Sequence, residues 1–89
     1  MTDVQTRFEK AAAAAKCLPE RPDNDTLLEL YALYKQGSAG DVTGEKPGFF
    51  DFAGTAKYGA WERLCGTPPE RAAQQYADLV VSLGGRIDD

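Results

Sequence analysis

The segment YALYKQGSAGD, residues 31–41, decides how this chain folds. It closes a stripe in which Leu27, Leu30, Tyr31 and Tyr34 step by three and four, the spacing of one face of an amphipathic helix. Just upstream, PDNDT (residues 22–26) offers N-cap candidates and places acidic residues in the first turn, where the helix dipole favours them. Gly37 and Gly40 are read as its stop. Beyond them, residues 38–50 (SAGDVTGEKPGFF) are rich in turn formers. A loop this long is often functional in so small a domain. It serves equally well as a crossover between distant helices.

The same spacing recurs on both sides of this segment. Val4, Phe8, Ala11, Ala12, Ala15 and Leu18 form a first helical stripe. Thr2-Asp3-Val4-Gln5 at its start has capping-box spacing, and Pro19 and Pro22 end it. Asp51 is placed to cap a third helix that carries Phe52, Ala56, Ala60, Trp61 and Leu64, with Gly66 as its C′ glycine. Thr67, Pro68 and Glu70 then read as N-cap, N1 and N3 of a fourth helix. Its stripe is Ala72, Tyr76, Leu79, Val80 and Leu83, and Gly84-Gly85 ends it. No strand-length alternation of β-branched residues occurs. The expected fold is all-α, one four-helix bundle spanning residues 1–89.

Composition removes several functions. The formal charge of −4 argues against nucleic acid, whose binding is driven by basic contacts to phosphate. The chain has no histidine, hence neither the usual general base nor the commonest metal ligand, and no metal site is expected. Two cysteines, Cys17 and Cys65, allow at most one bridge, so both are read as reduced thiols in a cytoplasmic setting. No apolar run approaches the roughly 20 residues needed to span a bilayer, and the N-terminus does not read as a secretory signal.

Tyr31, Tyr34 and Lys35 stand at i, i+3 and i+4, on one side of their helix. Tyr31-x-x-x-Lys35 matches the Tyr/Lys spacing of short-chain dehydrogenases. Those enzymes need a parallel sheet and a glycine-rich loop before a helix, and here the glycines follow it. Cys65 lacks a histidine partner to act as a nucleophile. Lys57, between Ala53 and Ala60, and Lys16, near the end of the first helix, also flank apolar stripes. Each of these residues alone is accounted for as a core-flanking side chain that snorkels to water. Together they fit an anion carrying an aromatic ring: lysines hold phosphate as point charges, and phenol faces stack on a base.

At this point the chain resembles the acyl-CoA-binding protein family. The resemblance rests on YALYKQGSAGD, then EKPGFFDFAGTAKYGAW, then CGTPPERAAQQY, in the family's order and spacing over nearly the whole chain. It implies an up-down-down-up bundle with a long overhand loop between the second and third helices. It also implies a non-enzymatic cytosolic carrier that binds medium- to long-chain acyl-CoA thioesters, pools them and delivers them to acyl-CoA-using enzymes. Acyl-CoA is then a bound ligand, no cofactor is needed, and a monomer is expected.

The resemblance also implies roles. The Tyr31 hydroxyl, Lys35 and Lys57 reach the 3′-phosphate, with Lys16 at the same edge. Tyr34 meets the adenine, and Tyr76 lies near ribose and adenine. Leu27, Leu28, Phe49 and Phe50 are candidates for the acyl groove. Many animal members have lysine where this chain has Ala53 and Thr55, so its phosphate pocket is less basic; Tyr58 stands where they often have tryptophan. Two other readings stand beside this one: a helical protein-interaction module without a small ligand, and a small isomerase or hydrolase.

Overall fold

The computed structural model describes residues 3–48 and 50–87. Four α-helices account for its regular structure: α1 (Val4–Ala14), α2 (Asn24–Ala39), α3 (Phe52–Glu62) and α4 (Pro69–Ser82). A 3-10 turn, Ala15–Cys17, prolongs α1. No strand occurs among the described residues.

Short-range chemistry starts most of these helices. Asp3, Asp23 and Asp51 are N-caps whose Oδ1 atoms accept from the backbone N–H groups of Thr6 (2.7 Å), Thr26 (2.8 Å) and Gly54 (2.9 Å). Each satisfies an N–H that has no partner within its helix. At α1 the cap is thus Asp3 itself; Thr2, the first residue of the expected capping box, lies outside the described residues. At α4 the expected cap shifts by one residue. Pro68 is the N-cap, without a side-chain bond, and Pro69 is the first helical residue. Thr67 is committed elsewhere: its N–H donates to the Leu64 carbonyl (2.9 Å), and its carbonyl accepts from Gln36 Nε2 (2.8 Å). At the other end Gly84 N–H donates to Val81 O and Gly85 N–H to Val80 O, a Schellman closure that needs the positive φ of Gly84.

Gly37 does not stop α2, which runs on to Ala39 and ends at Gly40 (φ 82°). A Cβ on Gly37 would lie 3.1 Å from Ala73 N, 3.1 Å from the Phe8 ring and 3.2 Å from Ala73 Cα. Its missing side chain lets α2 approach α4 and α1 closely. Ala11, Ala72, Ala73 and Ala77 are buried in the same core with Phe8, Leu30, Leu33, Tyr76 and Val80.

α4 packs on both α1 and α2, and α3 packs on α2. Asp3 and Val4 border one depression with Pro69 and Glu70, while Cys17 and Pro19 border another with Gly84 and Arg86, so α1 and α4 run in the same direction. Gly37, late in α2, meets Ala73, early in α4, which sets α2 against that pair. α3 runs with α2, because Lys57 faces Tyr31 and Trp61 faces Lys35, each pair one turn beyond the last. The result is the up-down-down-up bundle. Its overhand loop begins at Gly40, two residues later than the sequence pattern placed it, and Val42 packs with Ala32, Ala60 and Trp61 in a second small core. No helix among the described residues is long and apolar enough to cross a membrane.

Candidate functional site

α2 carries the candidate residues and aims them in two directions. Tyr31 and Lys35, one turn apart, face α3. There Lys57 Nζ stands 5.4 Å from the Tyr31 ring centroid, and Lys35 Nζ stands 5.0 Å from that of Trp61. Tyr34 turns the other way, to α1 and α4. Its ring is 5.4 Å from Phe8 and 5.8 Å from Tyr76, and Phe8 meets Tyr76 edge-on at 5.3 Å. The spacing that puts these side chains on one side of α2 therefore straddles a ridge, with α3 on one flank and α1/α4 on the other.

The aromatic cluster fixes what each ring can offer. Tyr34 is 42% exposed, so one side is open for stacking while Phe8 and Tyr76 support it. Tyr76 is only 5% exposed. Burial, and then the neighbouring Tyr34, push its phenol pKa up, so it is a neutral hydroxyl at ordinary pH. Both rings line a depression of about 480 Å³ with Lys16, Glu9 and the small residues Ala12, Ala13 and Ala15. Lys16 and Lys57 are exposed and Lys35 is half-buried.

A lysine over an exposed aromatic face gains about 0.5–1 kcal/mol, whereas a charge-assisted hydrogen bond contributes about 1.5–3 kcal/mol. An incoming phosphate can therefore draw Lys57 from the Tyr31 ring, whereas Lys35 stands over the buried Trp61 indole, where a desolvated contact is stronger, about 2 kcal/mol. Ala53 and Thr55 are exposed on α3 and add no charge.

The apolar candidates do not share one trough. Leu28 lines a cleft of about 470 Å³ with Ala32, Leu33, Ala60 and Leu64, rimmed by Asp25, Glu29 and Arg63. Leu27 packs instead against the α1/α4 core. Phe50 is 83% exposed, and Phe49 lies outside the described residues. Phe52, at the start of α3, is a further exposed aromatic that the sequence pattern had assigned to the helical stripe.

The sequence pattern also passed over Gln36 and Asp41. Gln36 is fully buried, and its Nε2 donates to Asp41 Oδ1 and to the Thr67 carbonyl, both at 2.8 Å. Asp41 Oδ1 also accepts from Gly66 N–H (2.9 Å), and the Gln36 and Gly66 bonds hold its carboxyl below the usual range. The available signal was that Gln36 sits three residues after Leu33, on the buried face. No group of three or more metal-ligating side chains occurs among the described residues.

The family model for acyl CoA binding protein matches residues 5–80. Acyl-CoA-binding protein homolog 1 of Caenorhabditis elegans is 49% identical over 76 residues, 85% of this chain and 88% of that protein. Acyl-CoA-binding protein of Saccharomyces cerevisiae is 48% identical over 80 residues, 90% of this chain and 92% of that protein. Enoyl-CoA delta isomerase 2 of Rattus norvegicus is 48% identical over 93% of this chain, which spans only 21% of that longer protein. Among solved structures, acyl-CoA-binding protein 2 of Oryza sativa superposes with a TM-score of 0.85 at 39% identity, covering 90% of this chain and 89% of that one. With the family model spanning most of its length and its fold shared with a solved member, the chain belongs to the acyl-CoA-binding protein family.

Proposed function

We propose that this protein binds medium- to long-chain fatty acyl-CoA thioesters without acting on them, and works as their carrier and pool. The observation that carries this reading is the meeting of Tyr31, Lys35 and Lys57 along the α2–α3 seam, with Tyr34 open to stacking on the adjoining flank. In a chain of net charge −4, two ammonium groups on one flank of α2 and an open aromatic ring on the other suit a nucleotide that ends in a phosphate.

In this reading the Tyr31 hydroxyl, Lys35 and Lys57 bind the 3′-phosphate and Lys16 borders it. Tyr34 stacks on adenine, and Tyr76 backs it. Leu28 and the exposed Phe50 flank the acyl tail, with Leu27 and Phe49 as the remaining groove candidates. In this reading the thioester is released intact to acyl-CoA-using enzymes. The free thiols Cys17 and Cys65 accord with cytoplasmic work, and the carrier acts as a monomer.

A calorimetric titration with acyl-CoA of increasing length, free CoA and free fatty acid tests this reading. Each buried methylene contributes about 0.8 kcal/mol, so affinity should climb with chain length and then flatten once the groove is full. Palmitoyl-CoA recovered after incubation should be unchanged. Equal binding of palmitate and palmitoyl-CoA would make the protein a fatty-acid carrier and remove the roles of Lys35, Lys57 and Tyr31. Failure to bind any of these would leave the protein-interaction module.

A further inference from the structure

Gln36 is a buried amide whose orientation is forced. Its two Nε2 protons go to Asp41 Oδ1 and the Thr67 carbonyl, and turned around it would set oxygen against oxygen at both places. Gln36 Oε1 has no protein partner among the described residues. A buried amide with its acceptor unmatched is a poor way to fill space, since an apolar side chain would do so without that desolvation penalty. What the amide provides is a link.

The link reaches the candidate site. Asp41 Oδ1 also accepts from Gly66 N–H, which ties the start of the overhand loop to the turn between α3 and α4. One residue earlier, the Gly40 carbonyl accepts from Trp61 Nε1 at 2.8 Å, and Gly40 N–H bonds the Gln36 carbonyl at 3.1 Å. The face of the indole held in this way carries Lys35 Nζ at 5.0 Å.

We propose that Gln36 and Asp41 are positioning residues for the phosphate-binding end of the site: they fix Gly40, Gly40 orients the Trp61 indole, and the indole holds the Lys35 ammonium. The inference rests on the acyl-CoA reading for its ligand. Its distinct content is that Asp41 contributes to affinity through Lys35.

The test is a double-mutant cycle read by calorimetry with palmitoyl-CoA. Asp41→Ala should weaken binding by about threefold to tenfold, the range of coupling expected within one hydrogen-bonded network. In a Lys35→Ala background the same change should cost less than about twofold. Asp41→Asn keeps an oxygen for Gln36 and Gly66 and should bind nearly as the unmodified protein does. Trp61→Phe keeps an aromatic ring but loses the bond to Gly40; it should reproduce the Asp41→Ala loss, and this variant decides the matter if Asp41→Ala does not fold. A loss of equal size in both Lys35 backgrounds, or no loss in either, overturns the proposal. The ligand-free readout is Trp61 fluorescence. Asp41→Ala should shift emission to the red and raise acrylamide quenching, and unchanged emission overturns the link to the indole. If the unmodified protein binds no palmitoyl-CoA, the functional reading falls and takes the role in affinity with it, while the fluorescence result still decides the link itself.

Discussion

Lys57→Ala is the sharpest test of the phosphate site. Lys57 is exposed on α3, and its ammonium lies 5.4 Å from the Tyr31 ring. In the free protein that contact contributes about 0.5–1 kcal/mol, which the ligand must displace. A charge-assisted hydrogen bond to phosphate contributes about 1.5–3 kcal/mol. The difference, about 1–2 kcal/mol, corresponds to a five- to thirtyfold loss of affinity on removing the ammonium. Calorimetry with palmitoyl-CoA and with its 3′-dephospho analogue measures the loss directly. It should be large for the first ligand and small for the second. It should also shrink from 0.15 M to 1 M salt, as the screening length falls from about 8 Å to about 3 Å. The thermal midpoint should fall by no more than about 2–8 °C, the loss of that one ring contact. A lowered midpoint with unchanged affinity would mean that Lys57 serves the fold, and an equal loss with both ligands would place its contact away from the 3′-phosphate.

Three further outcomes follow from the packing. Tyr34→Ala should cost about 1–3 kcal/mol of binding, while Tyr34→Phe should be mild and milder than Tyr31→Phe; affinities in the reverse order would exchange the two roles. Gly37→Val should destabilise the fold by about 1–3 kcal/mol in denaturant melts, because the added atoms meet Ala73 and Phe8; unaltered stability would show that α2 and α4 can separate without cost. The Tyr76 phenol is raised by burial and then by Tyr34 above its ordinary value near 10. The folded state then holds this proton more tightly than the unfolded chain, so stability that is present below about pH 10 is lost as pH rises toward the folded pKa. Melts between pH 9 and 11.5 should show Tyr76→Phe with a shallower alkaline decline, and parallel declines would refute this assignment.

Helix identity and most helix ends were legible in the sequence, because the codes that set them act over three or four residues. Asp23 and Asp51 cap the helices that follow them, and Gly84-Gly85 closes α4. The stripes through Phe8, Leu30 and Tyr76 marked core faces, since burial repeats with the helical period. The family motifs supplied the ligand, which periodicity alone could not name. Tertiary structure decided the rest. Thr67 looked like a cap until its carbonyl was needed by Gln36, thirty-one residues away in the chain. Gly37 looked like a helix stop, yet it is a point of close approach, visible only once Ala73 and Phe8 lie against it. Tyr34 parted from Tyr31 and Lys35 because neighbouring positions on one helical face turn to different partners when three helices surround it. Each of these outcomes depends on which distant group occupies the space or supplies the hydrogen bond, and local spacing carries no record of that.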